Sequence, residues 1–200
     1  MQRAAHSATV PSMVLAARPA NVPLTYDEYV LFPEDGRRHE IMQGDHYVSP
    51  APSPFHQTVS RRLLFALMQT LELTGIAWVF NAPIDLILSR TDVVQPDLVL
   101  LRRERRSLVT ARGIEGPPDV VVEILSPHGT DRDERLKHAL YARFAIPEYW
   151  IVDPDLGRVT LHRLGEAGYT IHAVFDRAST LASPAFPELA IALVGVFSEF

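Results

Sequence analysis

The sequence predicts an α/β domain in which helices pack on a mixed β-sheet. Two long stretches place apolar residues at helical spacing, and several short apolar runs between turn residues are typical of strands. The run DVVVEIL at 119–125, which Pro117-Pro118 and Pro127 enclose, is the most strand-like segment of the chain. Its nearly continuous apolarity indicates a central strand that is covered on both faces.

The N-terminal half is predicted to hold two helices separated by a hairpin. In chain order these are a helix that a Thr25–Glu28 capping box begins and Pro33 ends, a hairpin with strands at 38–42 and 46–49 and a turn at Gly44, and a helix over 54–74 that Gly75 ends.

The C-terminal half is predicted to be mainly strands. They lie at 77–80, 84–88, 98–101, 119–125, 148–152, 158–164 and 169–175. A helix over 133–144 separates the fourth of these strands from the fifth. Because strands occur both before and after helices, we expect one mixed sheet with helices on it.

Length and composition indicate a single globular domain. The chain has 200 residues, 47% of them hydrophobic, and no cysteine. We assign the domain to residues 25–200 and expect residues 1–24 to be a flexible leader, with Met13 as an alternative start. An export signal is the other interpretation of the leader, but Pro11 and Pro19 interrupt it and its longest apolar stretch, at 13–17, is shorter than a signal peptide requires. The lack of cysteine excludes disulfides, thiolate zinc sites and cysteine nucleophiles, and it favours the reducing cytoplasm.

Charge and hydropathy exclude two further classes. A net charge of −5 argues against a protein that coats nucleic acid along a basic face, because phosphate binding requires an excess of Lys and Arg there. It does not exclude an enzyme that gathers acidic residues around a metal ion. No apolar run approaches the roughly 20 residues that cross a bilayer, so we expect a soluble protein.

Glu123 is the first candidate for chemistry, since it lies between Val122 and Ile124 in the most apolar strand. An unpaired carboxylate there costs several kcal/mol. One interpretation is a core carboxylate that an arginine or backbone N–H groups satisfy. The other is a functional acid.

Asp97 is the second candidate, because it begins another apolar strand directly after Pro96. On a strand next to that of Glu123 the two carboxylates could meet, and with water and phosphate oxygens they would suit Mg²⁺. A turn or strand-edge aspartate is the alternative. Asp119 lies on the strand of Glu123 but roughly 13 Å from it, too far to share an ion, so we interpret it as structural.

Two further side chains border the predicted core. Lys137 precedes Leu140 and Tyr141 on the helix after the Glu123 strand, so its ammonium either reaches the site or merely covers the edge of the core. Glu40, in the first hairpin, is either a third acid of the site or a surface glutamate.

These segments together resemble a known family. HEIMQGDHYVSPAPSPFHQ at 39–57, QPDLVLL at 95–101, PPDVVVEILSP at 117–127, the helix with Lys137 and Tyr141, and IPEYWIVDP at 146–154 are similar to the Uma-type restriction endonuclease family of the PD-(D/E)XK nuclease superfamily. The resemblance covers residues 25–175. Five motifs in this order are far more specific than any one of them.

The resemblance implies a restriction-endonuclease-like α/β fold with the N-terminal hairpin as an extension. It makes Asp97 and Glu123 the metal ligands and Glu40 an auxiliary acid. The superfamily usually has lysine two residues after the second acid, where this chain has Leu125, so the lysine role is expected to pass to Lys137 on the next helix. His56 and Tyr141 are expected to hydrogen-bond the metal-binding residues and not the ion itself. For His56 the alternative is a histidine at a helix start that is bonded to the backbone.

The predicted function is therefore a Mg²⁺-dependent endonuclease, with Mn²⁺ as a substitute ion, that hydrolyses phosphodiester bonds in nucleic acid. We expect double-stranded DNA as the substrate and a homodimer as the assembly, because paired cuts suit a two-fold axis. Two alternatives stay open: a catalytically silent nucleic-acid- or protein-binding module, and a metal-dependent hydrolase of another phosphoester. Candidate phosphate contacts, if they are not solvated charge runs, are Arg61, Arg62, Arg102, Arg103, Arg105 and Arg106.

Overall fold

The computed structural model describes residues 22–49, 51–126 and 131–198. The predicted leader lies outside the described residues except for its last three, and Met13 lies outside them as well. The backbone N–H of Leu24 donates to the carbonyl of Gly44 at 2.9 Å, and the Leu24 side chain packs in a small cluster with Ile41 and Val93. The described domain therefore includes residues just before its predicted start.

The described residues contain four α-helices. They are α1 (Tyr26–Tyr29), α2 (Pro54–Leu67), α3 (Asp131–Arg143) and α4 (Leu193–Val196). Helix α1 begins as predicted, because the N–H of Thr25 donates to the carboxylate of Glu28 at 2.8 Å. Helix α2 continues as a π-helical segment, Met68–Glu72, and Gly75 then leaves the helical path at a φ of 79°. No helix in the described part of the chain is both long and apolar enough to cross a membrane.

Two mixed sheets of six strands each form the body of the domain. In spatial order the first consists of β2 (Asp45–Ser49), β1 (Arg38–Met42), β5 (Asp92–Val94), β4 (Leu86–Ser89), β8 (Gly113–Glu115) and β7 (Val109–Thr110). The second consists of β12 (Gly168–Phe175), β11 (Arg158–Gly165), β10 (Glu148–Asp153), β9 (Val120–Ile124), β6 (Leu98–Arg102) and β3 (Ala77–Asn81). A small ladder joins β13 (Thr180–Leu181) to β14 (Ile191–Ala192).

The predicted mixed α/β architecture is confirmed, and the strand of Glu123 is central as expected. All five residues of β9 are buried between β10 and β6. The sequence predicted one sheet, however, and the structure has two large ones. The N-terminal hairpin is an edge of the first sheet, where β1 pairs with β5. Strands of two or three residues, such as β5 and β7, are too short to show a repeating pattern.

The second sheet is covered on both faces. On one face, α2 and the C-terminal segment pack over alternate strand residues such as Leu98, Val122 and Trp150. On the other face, α3 and the first sheet pack over the intervening residues Val99 and Val121. The parallel pairing of β9 with β10 requires a crossover connection, and α3 lies in that connection. The side chains of α3 consequently reach the face of β9 that carries Glu123.

Candidate active site

Asp97 and Glu123 are brought together by the pairing of β6 with β9. The two strands are antiparallel, with Leu98 opposite Val122 and Leu100 opposite Val120. One more step along this register sets Asp97 opposite Glu123 on the same face. Both side chains are buried, Asp97 at 4% exposure and Glu123 at 8%.

Helix α3 supplies two partners for Glu123. Lys137 and Tyr141 are four residues apart and therefore lie on one side of the helix. The Lys137 ammonium lies 3.0 Å from Glu123 Oε1, and the Tyr141 hydroxyl donates to the same oxygen at 2.6 Å. Both partners are themselves buried. The lysine predicted from the neighbouring helix thus reaches the acid that it was expected to serve.

Glu40 enters the cluster from the first sheet. It lies on β1, is 1% exposed, and its Oε1 lies 3.3 Å from the Lys137 ammonium. The backbone N–H of Gln95 donates to that oxygen at 2.7 Å. Lys137 therefore bridges Glu40 and Glu123. The alternative of a surface position for Glu40 is wrong.

Asp97 is held by three donors. Its Oδ2 accepts from the backbone N–H of Ile124 at 2.8 Å and lies 3.2 Å from His56 Nε2. His56 is in the first turn of α2, where its N–H donates to the N-cap Ser53. The Arg38 guanidinium donates to the other oxygen, Oδ1, at 2.7 Å. Both ring nitrogens of His56 are deeply placed, and its Nδ1 has no hydrogen-bond partner among the described residues.

The electrostatic environments of the two opposed acids differ. Burial would raise the pKa of Asp97, but the hydrogen bond from His56 and the charge of Arg38 outweigh it and lower the pKa to about 2. Burial raises the pKa of Glu123 to about 7 against the opposing charge of Lys137, and the negative charges of Asp97 and Glu40 add to the rise. The crowding of three carboxylates thus favours a proton or a further cation at Glu123.

The donor set suits a small, hard cation. Asp97 and Glu123 present carboxylate oxygens, and Mg²⁺ is commonly held by one or two carboxylates together with water and substrate phosphate. Among the side chains that the structure describes, no group of three or more His, Asp or Glu residues is arranged to hold a metal ion. A cation on the two acids would therefore keep positions for solvent or substrate.

All six residues predicted for the site lie in one cluster. The first sheet, the second sheet, α2 and α3 each supply at least one of them, and the hydrogen bonds above link them into two connected groups around Asp97 and Glu123. Asp119 lies apart, as expected, where it accepts from the backbone N–H of Arg102 and pairs with Arg105 at 3.0 Å.

Most arginines of the two runs have partners away from this cluster. Arg102 ends β6 and Arg103 follows it, roughly 17 Å along the strand from Asp97. Arg103 packs over the ring of Trp78 at 3.4 Å, and Arg106 donates to the carbonyl of Val109 at 2.8 Å. Arg62 donates to backbone carbonyls of the C-terminal segment. These side chains have structural partners, which a charge run in a sequence cannot reveal.

Sequence reasoning missed Arg38 and Gln95. Arg38 precedes Glu40 by two residues, so both side chains lie on one face of β1. That spacing could have identified Arg38 once Glu40 was chosen. A second signal is composition: Lys137 is the only lysine of the chain, beside 18 arginines. A lone lysine among so many arginines indicates a position that needs a compact ammonium.

A cavity of about 840 Å³ adjoins the cluster. Its wall includes Arg38 and Gln95, which contact Asp97 and Glu40. Arg37, Ser49 and Gln57 also line it. The cavity gives the buried acids a neighbouring space that is large enough for a ligand.

Comparison with known proteins assigns the chain to a nuclease family. The profile of the family Uma2, described as "Putative restriction endonuclease", matches residues 26–194, and the chain belongs to this family. A crystal structure titled as a putative nuclease belonging to DUF820 from Anabaena variabilis is similar, with a TM-score of 0.72 over 88% of this chain and 98% of that chain. The two sequences are 22% identical, so the likeness shows a shared fold. No curated protein sequence matches the chain. The family indicates a nuclease.

Proposed function

We propose that the protein is a Mg²⁺-dependent endonuclease that hydrolyses phosphodiester bonds in double-stranded DNA. The observation that carries the proposal is the opposition of Asp97 and Glu123 on paired strands, with Lys137 held between Glu123 and Glu40. Asp97 and Glu123 would hold the ion, and Mn²⁺ would replace it. When bound, Mg²⁺ supplies Lewis acidity that offsets charge on the phosphate and makes water a better nucleophile.

The residues of the chain divide the remaining work. Lys137 would place its ammonium beside the attacking water and the phosphoryl oxygens, where negative charge grows in the transition state. Glu40, which fixes the ammonium at 3.3 Å, would orient the same water. The hydroxyl of Tyr141 holds Glu123 Oε1 in place, and burial raises the pKa of Tyr141 well above its ordinary value, so the hydroxyl keeps the proton that it donates.

His56 and the Ile124 N–H would keep Asp97 ionised and would fix the orientation of its carboxylate. Both bond Oδ2, and they leave Oδ1 facing Arg38. Because Asp97 has a pKa of about 2, it stays a carboxylate throughout the neutral range. A ligand that is always ionised suits metal binding, whereas Glu123 would lose its proton as the ion arrives.

The assembly and location belong to the same proposal. A homodimer would place two such clusters about a two-fold axis and allow paired cuts in a duplex. A chain without cysteine suits the reducing cytoplasm.

The test is cleavage by the purified protein. Supercoiled plasmid, linear duplex and RNA are incubated with Mg²⁺, with Mn²⁺ and with EDTA, beside Glu123→Gln as a variant of the same shape. We expect the wild type to convert plasmid to nicked and linear forms only with metal, and Glu123→Gln to leave it intact. Equal cleavage by both proteins would indicate a contaminating nuclease and contradict the proposal. Cleavage of RNA alone would move the substrate to RNA.

A further inference from the structure

Arg38 occupies an unusual position between the buried acids and the adjoining cavity. Its guanidinium donates to Asp97 Oδ1 at 2.7 Å, and the same side chain lines the cavity wall. The Arg38 side chain is 25% exposed, whereas that of Asp97 is 4% exposed. One end of the arginine thus faces a proposed metal ligand, and its flank faces solvent.

The two oxygens of Asp97 have partners of different mobility. Oδ2 accepts from a strand N–H, that of Ile124, and lies beside the buried ring of His56. Neither partner can leave without disturbing β9 or α2. Oδ1 has the guanidinium of Arg38, on a long, partly exposed side chain with several rotatable bonds. A cation that binds Asp97 would therefore take Oδ1 and displace Arg38.

The cavity has room for the displaced guanidinium and for a phosphate group that it could bind. Its volume of about 840 Å³ lies within the range of about 300–1,000 Å³ that is usual for ligand sites. Arg37 stands beside Arg38 on the wall, and Ser49, Gln57 and Gln95 add polar groups. A guanidinium binds two phosphate oxygens in a bidentate geometry. A phosphate next to the scissile bond fits this chemistry.

We propose that the guanidinium of Arg38 serves as an internal cation of the metal-free site, where it is bound to Asp97 Oδ1. When a divalent ion binds that oxygen, the Arg38 side chain turns into the cavity and binds a phosphate of the substrate. This inference rests on the proposed function. It makes Arg38 the link between metal and substrate: the ion frees the guanidinium, and the freed guanidinium strengthens substrate binding. Linkage requires the reverse as well, so bound substrate should tighten the metal.

The first experiment measures Mn²⁺ binding by calorimetry at pH 8 in the wild type, Arg38→Gln and Arg37→Gln. Arg37→Gln is the matched control, because Arg37 lines the same cavity but has its described ion pair at 3.9 Å with the exposed Asp35. Arg38→Gln removes the charged group that competes with the ion for Asp97 Oδ1, so the variant should bind Mn²⁺ about tenfold more tightly than the wild type. Arg37→Gln should stay within about twofold of the wild type. Arg38→Lys, which keeps the charge, should lie between them and serves if the glutamine variant does not fold.

The second experiment measures binding of a labelled 20-base-pair duplex in Ca²⁺ and in EDTA over a series of salt concentrations. In Ca²⁺, Arg38→Gln should bind the duplex more weakly than the wild type, with a salt slope smaller by about one. In EDTA the two proteins should bind the duplex with similar affinity, because Arg38 of the wild type then stays bound to Asp97. Arg37→Gln should change binding equally in both solutions.

The outcomes separate the inference from the function on which it rests. If the wild type takes up Mn²⁺ no better than an Asp97→Ala/Glu123→Ala variant, the proposed metal site fails. If the wild type binds Mn²⁺ through these acids and Arg38→Gln binds it with unchanged affinity, the inference alone is overturned. A loss of duplex affinity in EDTA as large as that in Ca²⁺ would also overturn it.

Discussion

Two buried glutamates on neighbouring strands, Glu123 on β9 and Glu148 on β10, have opposite surroundings. Glu148 is 1% exposed and accepts from three neutral donors: the Trp150 ring N–H at 3.1 Å, the Ser183 hydroxyl at 2.7 Å and the Ala185 N–H at 2.7 Å. Glu123 has an ammonium, a hydroxyl and two neighbouring carboxylates, Asp97 and Glu40. In the sequence the two residues look alike, since each stands beside apolar residues in a strand.

A buried carboxylate therefore does not by itself identify an active site. Glu148 joins the C-terminal segment to the sheet, and its two carboxyl oxygens accept from complementary N–H and O–H groups. Glu123 lies where negative charges accumulate, which is unfavourable unless a cation or a proton is present. Four measurements test whether Glu123 and Glu148 differ in this way.

The largest effect is expected from removal of both opposed acids. Asp97→Ala/Glu123→Ala should lose Mn²⁺ binding and reduce cleavage to the background, because the remaining described carboxylate of the cluster, Glu40, is already tied to Lys137 and the Gln95 N–H. Calorimetric titration and plasmid cleavage measure the two losses. Equal Mn²⁺ uptake by wild type and variant would show that the ion binds elsewhere.

The next effect concerns Lys137. Lys137→Ala should bind Mn²⁺ and duplex nearly as the wild type does and cleave about 10²–10³-fold more slowly, because a preorganised charge acts mainly in the transition state. Lys137→Arg should restore little, since its larger planar group does not fit the place of a compact ammonium. Single-turnover kinetics separate the cleavage rate from affinity. Wild-type rates in Lys137→Ala would reduce the lysine to a structural partner of two buried acids.

A smaller effect is expected for Glu148→Gln, which tests the other half of the contrast. Glutamine replaces one acceptor oxygen with a donor, so at least one of the three donors around position 148 loses its partner. The free energy of unfolding should fall by about 1–3 kcal/mol. Urea denaturation measures it, and Mn²⁺ affinity should not change. A variant that loses metal binding while folded would contradict a purely structural role for Glu148.

An effect of similar size and opposite sign is expected for Glu123→Gln. Burial raises the pKa of Glu123 from 4.5 to about 7, so the folded protein holds a proton that the unfolded chain releases. The stability of the metal-free wild type should therefore decline as pH rises from about 4.5 to about 7. Glu123→Gln avoids this decline. It should melt near the wild type at pH 5 and be more stable by about 1–3 kcal/mol at pH 8 in EDTA, because one unit of pKa corresponds to about 1.4 kcal/mol.

Saturating Mn²⁺ should remove that advantage, since the ion stabilises the wild type alone. Thermal melts at the two pH values, with and without Mn²⁺, supply the comparison. A lower melting temperature for Glu123→Gln at pH 8 in EDTA would mean that the ion pair with Lys137 outweighs the crowding of the carboxylates. The contrast with Glu148 would then be wrong.

The sequence by itself determined the local elements and the chemical identity of the site. The capping box at Thr25, the glycine turn of the first hairpin and the apolar run around Glu123 all depend on residues a few positions apart, and such short-range patterns act in any fold. Asp97, Glu123, Glu40 and Lys137 stand within motifs that the family resemblance orders along the chain. Their predicted proximity followed from that order.

Only the tertiary structure decided how these residues meet. The opposition of Asp97 and Glu123 depends on the register of β6 with β9. The first sheet depends on pairing between strands of two to five residues, and the contact of Arg38 with Asp97 joins positions 59 residues apart. Arg103 and Glu148 likewise have their partners on distant segments. Arg103 packs on Trp78, and Glu148 accepts from the N–H of Ala185. The physical reason is that hydrogen bonds and charges act through space, so the partner of a buried polar group is set by packing between distant segments, which no local pattern records.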